Sequence, residues 1–142
     1  MPQNPVFSIV LLVAVLLGGC TLLSHEAPLE DVDKAAMLFF QRLDNQQYDA
    51  IYNDSATGFK QKKTRADVTE NLKTLTAYGK VGDFQRIRLP FEGEGKDRMA
   101  SPVFMTIFEQ TAGELTLNFR DEGGEWKLIG FVFKPRGSQQ GQ

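Results

Sequence analysis

The chain has 142 residues, 42% of them hydrophobic and 24% charged, with a formal net charge of −2. That length holds one ordinary core rather than two domains, and the near-neutral balance excludes a generally basic nucleic-acid binder. Cys20 is the sole cysteine, which excludes an intrachain disulfide and a CxxC metal site and leaves stability to packing.

The first element is an apolar run. Val6 to Leu17 has the length of a signal-peptide core, and Gly18-Gly19 puts small residues where a peptidase approaches the main chain. Leu17-Gly18-Gly19-Cys20 closely resembles the lipobox of bacterial lipoproteins. The resemblance implies a signal peptide over residues 1–19, cleavage between Gly19 and Cys20, a diacylglyceryl group on the Cys20 thiol, and further acylation, as by palmitate, of the new amino terminus. At about 0.8 kcal/mol per buried CH₂, a multiply acylated cysteine is a stable membrane anchor. Thr21, in place of an aspartate after the cysteine, agrees with the enterobacterial pattern for the outer membrane, so the expected location is the cell envelope, facing the periplasm in a Gram-negative cell. No Lys or Arg precedes Lys34, which departs from the usual signal-peptide start. The competing reading is an uncleaved span, because Val6 to Leu23 is 18 residues long and about 20 apolar residues cross a bilayer. Residues 20–29 read as the lipidated cysteine and a tether. Nine residues at about 3.3–3.6 Å each reach roughly 30 Å, which keeps the domain close to its membrane. His25, the only histidine, lies in this tether without fixed partners and reads as a solvated linker residue.

With Pro28 opposing early helix formation, the folded domain is expected over residues 30–134. Val32, Ala36, Phe39 and Leu43 recur at helical spacing, Ala35 and Phe40 widen the stripe, and Glu30, Asp31 and Asp33 supply negative charge at the helix start. Asp44-Asn45 breaks the pattern, and a short helix carrying Tyr48, Ile51 and Tyr52 follows. Residues 55–98 carry ten bases against six acids, densest in KQKKTR at 60–65. That stretch reads as a solvated turn, with contact to anionic headgroups as the sharper alternative. Thr64 with Asp67 three residues later opens a helix bearing Val68, Leu72 and Leu75, which ends at Tyr78-Gly79.

After Gly82 the period changes to two. Ile87, Leu89 and Phe91 alternate with Arg86, Arg88 and Pro90, and EGEGKDR forms a polar break. VFMTIFEQ, ELTLNFR and EWKLIGFVFK then follow, separated by Ala112-Gly113 and Gly123-Gly124. Four strands in a meander are expected. Leu115, Leu117 and Phe119 against Thr116 and Asn118 give the cleanest one-sided alternation, while Phe131-Val132-Phe133 suggests a strand covered on both faces. Phe104 and Phe108 oppose Val103, Met105 and Ile107, so a second apolar row needs cover, either from a partner, with homodimerisation through the sheet as one form, or from a closed-up cone. Residues 135–142 have little to bury and read as a disordered tail.

Helices first and an antiparallel sheet second make an α+β fold, with N-terminal helices packed on a curved four-stranded sheet. FFQRLDNQQYDAIYNDS, the later helix ending in YGKV, and the closing GGEWKLIGFVF together resemble the nuclear transport factor two-like, cystatin-like fold group, and within it the small envelope proteins. The resemblance covers residues 30–134 and implies a cone-shaped sheet that in some members encloses a pocket for small-molecule chemistry and in others serves binding or dimerisation.

The polar residues available to such a pocket are Asp44, Tyr48, Asp49, Tyr52 and Asp54, with Trp126 as an aromatic wall. A carboxylate beside tyrosines can act as base and oxyanion donor if both are buried; the alternative is that Asp44 makes the turn and the tyrosines pack with their hydroxyls at the edge. Asp44, Tyr48, Tyr52 and Trp126 are the pocket candidates, none is assigned as catalytic, and no cofactor or metal is expected. The leading reading is a non-enzymatic envelope lipoprotein that binds a protein partner, a second copy of itself or an apolar ligand. An enzyme of the same fold and a passive structural lipoprotein are the other two, and nucleic acid is not an expected partner. If Cys20 is the anchor, Cys20→Ser leaves an unprocessed precursor and abolishes labelling by a fatty-acid probe. Unchanged processing and membrane extraction would remove the lipoprotein reading.

Overall fold

In the computed structural model, which describes residues 27–137, the first helix, α1 (Ala27–Asp44), starts ahead of Glu30. Pro28 is accommodated because the first turn of a helix has no carbonyl to receive its missing N–H. Cys20, the expected signal peptide and the residues of the expected tether before Ala27 lie outside the described residues, as do those after Gly137. Val32, Ala36, Phe39, Phe40 and Leu43 form the buried stripe of α1, and Met37 and Leu38 stay exposed. At its end the chain reverses through Gln46, which adopts φ 55.

Three further helices follow: α2 (Tyr48–Asn53), α3 (Thr57–Lys62) and α4 (Arg65–Thr76). The basic stretch expected as a turn is in part the last turn of α3. That short helix is held at its start by the sheet, since the Ala56 N–H donates to the Leu128 carbonyl at 2.9 Å. The capping box at α4 forms as the spacing predicts: Thr64 Oγ1 accepts from the Asp67 N–H, and the Asp67 carboxylate accepts from the Thr64 N–H. The Thr64 hydroxyl bond and then its main-chain bond hold the Asp67 carboxyl below its ordinary range. Gly79, at φ +91, ends the helical region where any Cβ would strike the Glu109 side chain.

The sheet has six antiparallel strands rather than four: β1 (Val81–Arg88), β2 (Phe91–Glu92), β3 (Met99–Ala100), β4 (Val103–Phe108), β5 (Ala112–Glu122) and β6 (Glu125–Pro135). The difference comes from two prolines. Pro90 separates β1 from β2, and Pro102 separates β3 from β4; neither brings an N–H to a ladder, so each strand stops and resumes. The two gaps lie together, with the Ser101 N–H donating to the Pro90 carbonyl at 3.0 Å and the Leu117 N–H to that of Pro102 at 3.0 Å. Register shifts in β1 and at Asn118/Phe119 add local twist, and the sheet curls into a half-barrel around the helices.

Two glycine pairs behave differently. Gly123-Gly124 makes the β5–β6 hairpin with both residues at positive φ, 68 and 90, as a two-residue turn requires. Ala112-Gly113, expected as a turn, instead opens β5, and Gly113 is needed because a Cβ there would overlap the Lys134 carbonyl.

The helices fill the concave face. Phe40 stacks on Phe84 with centroids 3.9 Å apart and meets Phe104 edge-on at 5.2 Å; Phe39 meets Phe131 at 5.8 Å. Leu115 and Leu117 are completely buried beneath them, as their alternation predicts. The expectation of a two-sided cover at residues 131–133 fails, because Val132 points outward and is 51% exposed. On β4, Phe104 and Phe108 face the core; in the outward row Val103 is buried, Met105 half-buried and Ile107 47% exposed.

Phe40→Ala is expected to cost about 3–5 kcal/mol in urea unfolding, and Thr64→Ala about 1 kcal/mol. Because Asp67 titrates lower when folded than unfolded, its capping contribution is complete above the unfolded carboxyl's range and is lost as the pH falls through the folded one. Asp67→Asn should flatten that part of the stability profile and lower the neutral and alkaline side by a constant amount.

Candidate functional site

The polar residues singled out by sequence hold elements together, and they are not gathered around one cavity. Asp44, at the end of α1, accepts from the Val81 N–H at 2.9 Å and so fixes the start of β1. Tyr48 Oη and Thr76 Oγ1, 2.7 Å apart, join α2 to the end of α4. Asp49 receives Arg65 at 2.8 Å; the same guanidinium bonds Asn53 and lies 4.8 Å over the Tyr52 ring. Tyr52 Oη donates to the Lys63 carbonyl at 3.1 Å, and Asp54 pairs with Arg42. Each acid or phenol is thereby engaged across two elements, an arrangement that positions helices.

Trp126 is buried under the Arg98 guanidinium, 5.0 Å from its ring. It borders a cavity of only about 90 Å³ with Leu38, Arg42, Asp54 and Phe119. Asp44 borders a separate cleft of about 190 Å³ with Gln46, Thr76, Lys80 and Glu109. Tyr48 and Tyr52 line neither. Among the described residues, no group of three His, Cys, Asp or Glu side chains could hold a metal ion, and no helix is long and apolar enough to cross a membrane.

A further opening lies between the helices and the last strand. A half-open groove of about 450 Å³ runs along α4 and β6. Val68, Leu75 and Tyr78 from the helix side face Ile129, Phe131 and Phe133 from the strand, with Phe59 closing one end and Pro135 in the wall. Asn71 and Thr74 add polar groups, and Lys63 is the one charged side chain in the lining. Tyr78 and Phe133 meet across it with ring centroids 5.5 Å apart, and Phe133 stands edge-on to Phe108 at 5.2 Å. The wall is therefore continuous with the core, and its rings are held in place from behind.

Sequence reasoning did not single this groove out. Phe131 and Phe133 read as part of a strand covered on both faces, and Asn71 and Thr74 carry no signal of their own in the sequence. The available signal was the spacing of Phe131, Phe133 and Pro135, which puts two rings and a residue without an N–H at alternate positions of a final strand.

If the Tyr48 contact positions α2 on α4, Tyr48→Phe costs about 0.5–1.5 kcal/mol in urea unfolding and leaves the near-ultraviolet dichroism of the folded chain unchanged. A loss of fixed tertiary signal would show that the hydroxyl does more than join two helices.

No protein-family model matches the chain, and no curated protein matches it significantly.

Proposed function

We propose that the chain is a lipid-anchored envelope protein, attached through Cys20 and facing the periplasm from the outer membrane of a Gram-negative cell. In this reading its nuclear transport factor two-like, cystatin-like domain acts by binding and not by catalysis. The observation that carries the binding role is the groove between α4 and β6, an aromatic-walled opening large enough for a ligand or a peptide segment. The engagement of Asp44, Tyr48, Asp49 and Asp54 in bonds between elements supports the same reading, since a general base must be free to reach a substrate proton. The short tether keeps such a groove near the membrane surface, where a second envelope component is available at high local concentration.

The test is complementation of a strain lacking the gene, with full-length variants checked for export and folding. Asp44→Asn and Tyr48→Phe are expected to retain function, whereas Thr74→Trp, which fills the groove from an exposed helix position, abolishes it. Complete loss with Asp44→Asn or Tyr48→Phe in a folded, exported chain would point to an enzyme instead. Full function with Thr74→Trp would remove the groove from the account.

A further inference from the structure

The last strand leaves one stretch of main chain without a partner, and it lies on the groove. β6 pairs with β5 alone. In an antiparallel ladder, alternate residues turn both N–H and C=O to the neighbouring strand, and the residues between turn theirs away. The Arg136 N–H donates to the Ala112 carbonyl at 2.7 Å, so Arg136, Lys134 and Val132 face β5, and Phe131, Phe133 and Pro135 face outward. β5 gives the same answer from its side. The Leu117 N–H donates to Pro102, away from β6, and Leu117, Leu115 and Gly113 are the register partners of Phe131, Phe133 and Pro135.

Part of this outer edge is already used, because the Leu128 carbonyl receives the Ala56 N–H. From Phe131 onward, among the described residues, no hydrogen bond reaches the outward N–H or C=O of Phe131 or Phe133. Pro135 has no N–H to offer and marks where the edge ends. The open stretch thus presents a donor and an acceptor at each of two alternate residues, beside a wall of aromatic rings and the single cationic lining group Lys63.

Those features discriminate among occupants. An acyl chain would cover the rings but bury four main-chain polar groups without partners, each at a desolvation cost. An extended peptide satisfies both requirements. We propose, building on the binding reading above, that the groove takes an extended segment of a partner protein as an added strand on β6. The segment bonds to the main chain of Phe131 and Phe133, places apolar side chains at alternate positions against the rings, and carries an acidic residue opposite Lys63.

The experiment uses the full chain in detergent and an eight-residue probe of alternating threonine and valine ending in glutamate. Saturable binding is expected, with amide exchange at Phe131 and Phe133 slowed at least about tenfold while Val132 and Lys134, already bonded to β5, are unchanged. N-methylation of the probe at one set of alternate amides should abolish binding and at the other set leave it intact, and Lys63→Glu should weaken it about threefold. Absence of binding, or equal binding of both methylated probes, overturns strand addition. If Thr74→Trp still abolishes function in cells, the binding reading survives that result; if it does not, both fall. Protection of Phe131 and Phe133 that rises with protein concentration in the absence of probe, with a dimer mass in sedimentation, assigns the edge to a second copy and also overturns the proposal.

Discussion

Phe40 is the contact on which the two layers depend. Its ring lies flat on Phe84 of β1 and edge-on to Phe104 of β4, so one side chain of α1 registers the helix against two neighbouring strands. Stacked and edge-to-face geometries use the ring quadrupole in different directions, so the arrangement fixes rotation as well as distance. The ion pair between Arg86 and Asp33, on the same strand and the same helix, adds a polar rim to that seam. With α1 fixed, Leu43 and Ile51 fall into the core, and α4 is carried into place through Tyr48 and Thr76.

The groove follows from this seating. A half-barrel whose concave face is filled by helices closes on the side where helix and sheet are in register and gapes where the curl outruns them. Here α1 reaches β1 and β4 through Phe40 and β6 through Phe39, while the groove separates α4 from the far end of β6. Ala56 closes part of the gap by bonding Leu128, and Glu122 accepts from the Thr57 N–H at 3.1 Å, so the start of α3 is tied to both arms of the last hairpin. Beyond those ties the sheet edge runs on without a neighbour.

Local and one-sided features were legible in the sequence. Leu115, Leu117 and Phe119 alternate cleanly because one face of β5 is buried under helices and the other carries Thr116, Asn118 and Arg120. Thr64 and Asp67 cap α4 through bonds spanning three residues, and Gly123-Gly124 dictates its own turn. What was not legible depends on partners distant in the chain. Nothing near Gly113 announces that the Lys134 carbonyl will pass against it, and nothing near Pro102 announces that its carbonyl will receive the Leu117 N–H. The groove was hidden for the same reason: Leu75 and Phe133 each carry an ordinary core pattern, and only their separation in space makes a site.

The placement of Phe131 has a bearing on when the chain can fold. Phe39 lies in α1 and Tyr78 just after α4, yet their ring partners, Phe131 and Phe133, are in the final strand, and Ala56 waits for Leu128. During synthesis from the amino terminus, the apolar stripe of α1 therefore has no complete sheet to bury against until nearly the whole domain has emerged. Contacts of such long sequence separation form slowly, because loop closure must be met before packing rewards it. A chain organised in this way can complete its core only when its final strand is available, so the order of synthesis and the order of packing run in opposite directions.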